Sequence, residues 1–580
     1  MREPKTDGHR GNAMTQETAG TTPMDNVSAD APPKPERRPP RKGFNRRSVL
    51  QGSAASAAVA AFAKTMPYAA AQGSSFDSKL FLLDRTTFGW DEIAPTRTST
   101  SVQTSMAAES ASRTYMNFLD WQLERLGPID ETIATSVIQT QSPGTAHFMG
   151  LSMLQMVADP IYGAVSGAPA IIESVRSVVF NGYHNPRQLR LTMTDFWSSV
   201  HNTSIRQVPI FFYWYPFYRD VLTQYALGDY GGQGSGMVQD SARHPAMLFY
   251  LDQWRSEATN PVENYARELL ELHTAGVNQY AGIPTYVEND VVEAAKMFSG
   301  WTIDFTPGVY GFTFDGSVQK HALGTKTNSM SNWPGGGTYP YDNVNPTEGL
   351  NLITDLVRHP LTALQMSERM INWFLGDFDP MDGPTAEFYN HWLRVAVAFW
   401  QSQGDLNATV RTLFDEAHLA ESRPGPYRKV RKPLNYAIAL LRATGPEHTP
   451  ASGIEWMSQP FLKMQQVPGY WPAPNGFPAD NEAWTNSVVA RFEFVHRLVF
   501  DPTLGFNFSP ARLSALFPMS TRTGMAQRAN DILFGGGLPG PEVAAIDSYL
   551  LALPTGASLD DVKREAIVMT FSAPSYQFLY

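Results

Sequence analysis

The stretch from residue 260 to 301 carries the clearest helical pattern in the chain. Its apolar positions recur at the i, i+3, i+4 and i+7 spacing of a helix that buries one face: Val262, Tyr265, Ala266, Leu269, Leu270 and His273. Asn260 and Pro261 are typical of a helix start, and Gly276 is typical of a helix end. We therefore predict a helix over residues 261–275.

A second helix is predicted directly after the first, over residues 286–299. Thr285 followed by Glu288 matches a capping box, and Gly300 is placed to end the helix. The same periodicity recurs through much of the chain. It predicts helices at 108–126, 146–166, 170–183, 188–202, 217–227, 244–256, 347–358, 361–375, 384–402, 406–416, 431–443, 484–500, 509–516, 541–553 and 559–571.

Two regions lack the helical pattern. Within 302–345, the alternating residues 311–316 end in an Asp-Gly turn signal, which predicts a small β-hairpin. Residues 468–478 are rich in proline and glycine and predict a long loop. Together the patterns predict a mainly α fold: a single large multi-helix globular domain over residues 76–580, with long loops and a small β-hairpin insertion.

The polar face of the 261–275 helix groups one amide, one cation and two carboxylates: Asn264, Arg267, Glu268 and Glu271. We predict these four residues as a candidate catalytic strip. Two carboxylates on one helix face suit an acid–base pair or the bridging of a metal ion. The alternative is a structural network, because Arg267 and Glu271 have the i, i+4 spacing of a salt bridge. The metal identity stays unknown, since Thr274 stands where di-iron bundles carry a histidine.

Five further residues are candidate ligand contacts: His244, Asp252, Trp301, Lys320 and Trp471. His244 belongs to an Arg-His-Pro tripeptide that recurs at 358–360, which fits either two helix starts or a histidine pair. Asp252 is a further carboxylate close in sequence to the strip. Trp301 and Trp471 are candidates for the rim of a pocket. His273, in contrast, lies on the apolar face of the helix and is interpreted as a core histidine.

Composition excludes several classes of site and partner. The chain has no cysteine, which excludes disulfides, thiolate nucleophiles, cysteine-bound zinc and iron–sulfur clusters. His-Glu-x-x-His and a credible Gly-x-Ser-x-Gly elbow are missing, which disfavours two hydrolase classes. Residues 1–71 hold 11 of the 45 basic and 6 of the 55 acidic residues, which leaves 34 basic and 49 acidic residues for the rest. This excess of acidic residues argues against nucleic acid as the main partner.

The N-terminal part predicts export. Residues 1–44 are polar and proline-rich and predict a disordered extension. Residues 45–71 match a twin-arginine signal peptide, with Arg46-Arg47, an alanine-rich run and small residues at 69–71. The apolar run is too short for a permanent membrane anchor. We expect the twin-arginine translocation machinery to deliver a soluble chain to the periplasm or the extracellular space. Folded export hints at a cofactor, but the sequence identifies none.

Several segments resemble a known bacterial family in their order along the chain: Leu82–Gly89, His244–Asp252, Glu263–Thr274, Ser299–Trp301, Lys432–Pro433 and Gln577–Phe578. That family is domain of unknown function 1800 (DUF1800), and the resemblance spans about 80 to 580. The resemblance implies an exported, mainly helical protein. Members are often encoded beside a second twin-arginine-exported family related to sulfatases, which makes a co-exported sulfatase-like protein an implied partner.

The chain departs from that family at two places. Members commonly have histidines near the pair that is Phe196-Trp197 here, where this chain retains at most His201, in a shifted position. A His-Asp pair common before a Lys-x-x-Leu-Gly segment is Asp315-Gly316 in this chain, although Lys320 is kept. If those histidines bind metal or transfer protons in relatives, this chain has lost or rearranged that chemistry.

Two functions from different classes follow from these observations. The first is a binding or assembly protein that works with a co-exported partner at the cell envelope. The second is an exported hydrolase, metal-assisted or not, that acts on an extracellular polymer or on sulfated or glycosylated material. The hydrolase needs the strip to surround a solvent-reachable pocket, whereas a strip tied up by structural partners favours the binding protein.

Overall fold

The computed structural model describes the greater part of the chain after residue 76. The described residues are 77–90, 111–124, 178–179, 181–183, 185, 188–206, 211–278, 280, 283–306, 311–332, 334–422, 429–448, 460–502 and 506–580. The predicted N-terminal extension, the signal peptide and the helix at 146–166 lie outside these residues. The described residues belong to one compact unit. The division of the chain into extension, signal and domain stays a prediction.

Helices dominate the described residues, which confirms the predicted mainly α fold class. In chain order they are α1 (Ser78–Thr86), α2 (Tyr115–Leu123), α3 (Gln188–Val200), α4 (Phe211–Tyr225), α5 (Met237–Arg243), α6 (Pro245–Tyr250), α7 (Glu263–Glu268), α8 (Glu288–Phe298), α9 (Thr347–Arg358), α10 (Pro360–Phe374), α11 (Tyr389–Gln401), α12 (Leu406–Leu413), α13 (Glu416–Ser422), α14 (Pro433–Thr444), α15 (Glu482–Thr485), α16 (Val488–Phe500), α17 (Pro510–Leu516), α18 (Met525–Phe534), α19 (Gly540–Ala552) and α20 (Leu559–Ser572). The five residues Leu269–His273 form a π-helix that continues α7.

The helix ends differ from the predicted ones where capping was inferred from sequence. Helix α7 begins at Glu263, behind Val262, so Asn260 and Pro261 do not start it. Instead, the amide of Asn260 donates to a carbonyl in a tight turn with Glu257. The sequence also did not predict four short helices, α1, α5, α13 and α18.

The start of α8 uses a different carboxylate from the predicted one. The side chain of Asp290 accepts the amide of Val287 at 2.9 Å, whereas Thr285 donates to the carbonyl oxygen of Gly276. The predicted capping box of Thr285 and Glu288 is therefore wrong. Asp290 is better placed, because a side chain at the third helical position reaches back to the residue that precedes the helix.

Short antiparallel strand pairs complete the described fold. In chain order the strands are β1 (Trp301–Asp304), β2 (Gly311–Phe314), β3 (Lys326–Asn328), β4 (Gly337–Tyr339), β5 (Lys429–Val430), β6 (Glu447–His448), β7 (Phe506–Asn507) and β8 (Phe578–Leu579). The pairs are β1–β2, β3–β4, β5–β8 and β6–β7. The first two are local hairpins, whereas the last two join segments that are distant in sequence.

The predicted hairpin exists, but its turn lies elsewhere. Strand β1 pairs with β2 so that Trp301 faces Phe314 across the two strands. The chain therefore turns between residues 304 and 311. Asp315 lies past the end of β2, where its amide donates to the carbonyl oxygen of Gly300 at 2.9 Å. The Asp-Gly signal at 315–316 closes the base of the hairpin and not its tip.

A buried ion pair joins the N-terminal helix to the C-terminal strand. The guanidinium of Arg431 donates to both carboxylate oxygens of Asp84, at 2.9 and 2.8 Å. The amide of Tyr580 donates to the same carboxylate at 2.8 Å. Arg431 lies between β5 and α14, so three distant segments meet at one carboxylate. The contact therefore joins the segment 82–89 to the residues next to 432–433 and 577–578.

The apolar faces of the helices pack into one continuous core, in which α7 lies against α8, α10 against α11, and α16 against α20. Trp197, Trp214 and Trp301 are fully buried in it. Among the described residues, no helix is both long and apolar enough to cross a membrane.

Candidate functional site

The helix that carries the predicted strip widens halfway along its length. After Glu268 the backbone passes from an α-helix into the π-helix Leu269–His273. The hydroxyl of Thr274 donates to the carbonyl oxygen of Leu269 at 2.7 Å, and Gly276 ends the turn with φ of +78°. Such π turns are rare and occur frequently at functional sites. The sequence did not predict this turn, because five residues are too few to distinguish the two helical periods.

Arg267 is neutralised at the protein surface. Its guanidinium lies 2.6 Å from Glu288 at the start of α8 and 3.2 Å from Glu263 one turn earlier. The predicted i, i+4 pair with Glu271 is therefore replaced by two other carboxylates. The hydrogen bonds from Glu288 and Glu263 raise the pKa of Arg267 above its ordinary value, so it stays charged. Its charge holds α7 and α8 together.

Asn264 and Glu271 also have structural partners. The amide group of Asn264 donates to the carbonyl oxygen of Leu251 at 3.3 Å. Glu271 accepts a hydrogen bond from the hydroxyl of Tyr286, which precedes α8. Three of the four predicted strip residues are thus engaged in contacts that tie this helix to its neighbours.

Glu268 behaves differently from the rest of the strip. It is half-buried, and within the described residues its carboxyl group has no hydrogen-bond partner. Burial, with help from the negative charge of Glu271, raises its pKa to about 7, although Arg267 and Arg369 act in the opposite direction. A carboxyl group that titrates near neutral pH can both donate and accept a proton, which is typical of acid–base sites.

Tyr250 connects the 468–478 loop to the surroundings of Glu268. The negative charge of Glu268 contributes to raising the pKa of Tyr250, although burial is the larger cause. The hydroxyl of Tyr250 donates to the carbonyl oxygen of Pro472 at 2.8 Å. The side chain of Asn202 holds the same loop by donating to the carbonyl oxygens of Trp471 and Ala473, at 3.0 and 2.7 Å.

Beneath the strip lies a buried layer of two histidines and a tyrosine. The rings of His201 and His273 are 4.5 Å apart between centroids. The hydroxyl oxygen of Tyr230 lies 3.1 Å from Nε2 of His201 and donates to the carbonyl oxygen of His273 at 2.7 Å. Burial lowers the pKa of His201 well below its ordinary value and that of His273 to about 3. Both imidazoles are therefore neutral at physiological pH.

Sequence reasoning missed part of this arrangement. His273 was assigned to the core, and it is buried as expected. His201 was noted only as a shifted histidine, and Tyr230 and Arg369 were not selected. Arg369 lies on α10, about a hundred residues from the strip, and its charge influences both Glu268 and His273. No local sequence pattern marks it, because only tertiary packing brings α10 to α7.

A protein-family model with the description "Protein of unknown function (DUF1800)" matches residues 81–578. The chain belongs to the DUF1800 family. The match confirms the resemblance inferred from the sequence segments. No curated protein and no solved structure matches the chain.

Of the predicted ligand contacts of this DUF1800 chain, His244 is half-buried and Trp301 lies in the interior. Nδ1 of His244 accepts the amide of Ala246 at 3.2 Å and so caps α6, directly before its proline. Burial lowers the pKa of His244 to about 3. Trp301 is fully buried between Phe298 and Phe312, with ring centroids 4.9 and 5.3 Å away. Their assignment as ligand contacts stays a prediction.

The other three predicted contacts lie nearer the surface of the DUF1800 domain. Asp252 forms a salt bridge of 2.9 Å with Arg255. Lys320 forms a salt bridge of 2.5 Å with Glu257. This contact joins the segment after β2 to the turn before α7. Trp471 is half-buried on the 468–478 loop. Within the described part of the chain, no three histidine or carboxylate side chains are grouped in a way that could hold a metal ion.

Proposed function

We propose that this protein is an exported binding or assembly protein that acts with a co-exported partner at the cell envelope. The observation that carries the proposal is the state of the strip. Arg267 is paired with Glu263 and Glu288, while Asn264 and Glu271 bond to neighbouring segments. A catalytic strip needs groups that are free to contact a substrate, and three of these four are engaged in holding α7 in place.

Export is supported by the twin-arginine pattern at 45–71, and the surface chemistry fits a protein partner. The acidic balance after residue 71 disfavours nucleic acid and anionic lipid. The partner that the family resemblance implies is a sulfatase-related protein exported by the same route. We place the contact at the exposed charges where α7 meets α8, since the side chain of Glu288 is 67% exposed there.

The test is a binding measurement on purified proteins. The chain, exported with its own signal, is mixed with the co-encoded sulfatase-related protein, and the molar mass of the complex is measured by light scattering. Glu288→Lys should weaken the complex by about tenfold, as expected for a like charge placed in an interface. Glu493→Lys, which alters an exposed pair on α16, is the matched control and should bind normally. A chain that remains alone at micromolar concentrations of both proteins would contradict the proposal.

A second function, an exported hydrolase, is favoured by one specific observation. Glu268 has a pKa of about 7 and lacks a hydrogen-bond partner among the described residues, so it can serve as a general acid or base. The charge of Glu268 acts on Tyr250, which holds the 468–478 loop, and the positive charge of Arg369 acts on Glu268.

The hydrolase proposal is tested by turnover and by elemental analysis of the mature chain, residues 72–580. Release of reducing sugar or sulfate from extracellular polysaccharides is measured for the native chain and for Glu268→Gln. A general acid or base contributes about 10²- to 10⁴-fold to the rate, so Glu268→Gln should lose that much. A stoichiometric metal that disappears in Glu268→Gln would make the reaction metal-assisted. Equal turnover in both chains would remove Glu268 from the mechanism.

A further inference from the structure

A small cavity of about 30 Å³ lies where five distant parts of the chain meet, one of which is Leu579 on β8. Its walls come from the end of α1, the middle of α3, the end of α10 and the residues around the start of α14. Among the described residues, its charged lining consists of Arg85, Asp195 and Lys432. A cavity of this size has room for roughly two water molecules or a ligand group of about three heavy atoms. The cavity shares no residue with the strip on α7.

Lys432 is a buried amine with little to stabilise its charged form, and burial lowers its pKa well below the ordinary value. Its side chain is 6% exposed, and its ammonium nitrogen lies 3.5 Å from the ring centroid of Trp373. Its one hydrogen bond is a long one, of 3.4 Å, to the carbonyl oxygen of Trp373. No carboxylate in the described residues forms an ion pair with it. An ammonium group can donate three hydrogen bonds, and a buried cation without a charged partner is costly.

Asp195 is the carboxyl group that lines the same cavity as Lys432. Its carboxyl group has no hydrogen bond and no ion pair within the described residues, although Arg219 and Lys432 act on it electrostatically. Burial is the larger effect and raises the pKa of Asp195. The group is therefore protonated more readily than an ordinary aspartate, and a protonated carboxyl is a hydrogen-bond donor.

Arg85 adds a second positive charge that no carboxylate neutralises by contact. Its guanidinium donates only to backbone carbonyl oxygens, at distances between 2.7 and 3.4 Å. The neighbouring cations differ in this respect, because Arg431 is paired with Asp84 and Lys429 with Asp377 at 3.1 Å. The cavity thus has two basic side chains without a contacting carboxylate, beside one carboxyl group whose neutral form is favoured by burial.

We propose that this cavity binds the carboxylate of a small organic acid, with Lys432 and Arg85 as its cationic partners and Asp195 as a hydrogen-bond donor. A carboxylate has three heavy atoms and matches the available room, whereas sulfate and phosphate have five. The ligand supplies a negative charge and gives the Lys432 ammonium an acceptor. The site combines residues from the segments that carry the family resemblance, near 82–89 and 432–433.

Binding of a carboxylate is expected to take up protons, because it favours the protonated form of Asp195 and the charged form of Lys432. The charged groups that act on Lys432 are Lys429, Arg85, Asp377 and Asp195, and those that act on Asp195 are Arg219 and Lys432. Burial raises the pKa of Tyr215, on which the charge of Asp195 also acts, so Tyr215 stays neutral. Affinity should therefore increase as the pH falls from 8.0 to 5.5.

The test uses the full mature chain and formate as the probe. Formate binding is measured by calorimetry at pH 5.5 and 8.0, with chloride at equal ionic strength as the reference. A three-atom ligand limits the dissociation constant to the millimolar range or weaker. Lys432→Met should weaken binding by at least about tenfold, the value of roughly one charge-assisted hydrogen bond. Lys463→Met, at an exposed pair with Glu493, is the control and should bind formate normally.

Asp195→Asn keeps the test decisive if Lys432→Met does not fold. Asparagine keeps a donor but cannot titrate, so this variant should bind formate with a smaller pH dependence, which then comes from Lys432 alone. A series of formate, acetate and propionate distinguishes a free small acid from the end of a longer molecule, since the longer acids bind equally well only if the cavity opens outward. Heat signals equal to those of chloride, or an unchanged pH dependence in Asp195→Asn, would overturn the proposal.

Discussion

The imidazole rings of His201 and His273 lie 4.5 Å apart between centroids and are inclined by 31°. Both side chains are buried, and Nδ1 of His273 has no hydrogen-bond partner within the described residues. Two neutral rings can pack in this way, but two imidazolium ions at this distance would repel each other strongly. The contact therefore depends on both histidines staying neutral.

This relationship predicts a loss of stability in mild acid. The folded-state pKa of His273 is lowered to about 3, below the ordinary value of 6.5. Below pH 6.5 the unfolded chain takes up a proton that the folded chain does not, so the folded state loses up to about 1.4 kcal/mol per pH unit for this residue. His273→Gln should remove that loss, as measured by urea unfolding at pH 7.5, 6.5 and 5.5. His496→Gln, at an exposed histidine, is the control and should keep the native pH dependence.

For Glu268 we predict the opposite dependence of stability on pH, a loss of stability as the pH rises. Its folded-state pKa is raised from 4.5 to about 7, so the folded state holds its proton over a range in which the unfolded chain has lost it. The ionised form destabilises the fold, and this cost is complete above pH 7 and absent below pH 4.5. Glu268→Gln should therefore be more stable than the native chain at pH 8.5, by about 1–2 kcal/mol after allowance for solvent screening.

The comparison is made by urea unfolding at pH 8.5 and at pH 4.5, where the two chains should be equally stable. Glu288→Gln is the matched control, because it removes an exposed carboxylate paired with Arg267 and should give no gain in stability at pH 8.5. A Glu268→Gln chain that is less stable than the native one at pH 8.5 would show that ionised Glu268 has a stabilising partner.

The sequence was informative where the periodicity is long and the ends are marked. Helix α9 runs from Thr347 to Arg358 as predicted, since its apolar face repeats over twelve residues. The sequence pattern gave wrong predictions where a short segment is fixed by tertiary contacts. Asp290, and not Glu288, caps α8, and Asp290 also accepts hydrogen bonds from Ser329, directly after β3. The same reasoning applies to Arg369, whose place near Glu268 depends on the packing of α10.

For the site, the sequence located the strip but could not distinguish the environments of its four residues. Asn264, Arg267, Glu268 and Glu271 share a face by spacing alone. Their different environments arise from α8, Tyr286 and Leu251, which lie on segments that spacing within one helix cannot place. The cavity beside Lys432 was not predicted at all. Its charged residues, Arg85, Asp195 and Lys432, are more than one hundred residues apart in sequence, and no motif links them.

The buried pair of Asp84 and Arg431 predicts a large loss of stability on truncation. Asp84→Ala leaves the Arg431 guanidinium buried without a counter-ion, which typically costs about 3–5 kcal/mol. It also removes the acceptor for the amide of Tyr580. Lys463→Ala is the matched control, because its pair with Glu493 is exposed and should cost less than about 1 kcal/mol. Urea midpoints of the two variants check both values, and similar midpoints would contradict the structural role assigned to Asp84.

We predict that a methyl group added at Gly476 releases the 468–478 loop from α3. The φ of Gly476 is +68°, a left-handed conformation that costs other residues about 1–2 kcal/mol. A Cβ atom at this position would also collide with the carbonyl group of Ser199. Gly476→Ala should therefore lower the stability by more than the conformational cost alone, and it should detach the loop from α3.

Gly324→Ala separates the two contributions, since Gly324 also has a positive φ, of +84°, but has open space around its Cα atom. It should show only the conformational cost of about 1–2 kcal/mol. Limited proteolysis reports the release directly: Gly476→Ala should be cleaved within 468–478 faster than the native chain, and Gly324→Ala should not. If the two variants lose equal stability and the loop stays protected, the packing of Gly476 on Ser199 does not hold the loop in place.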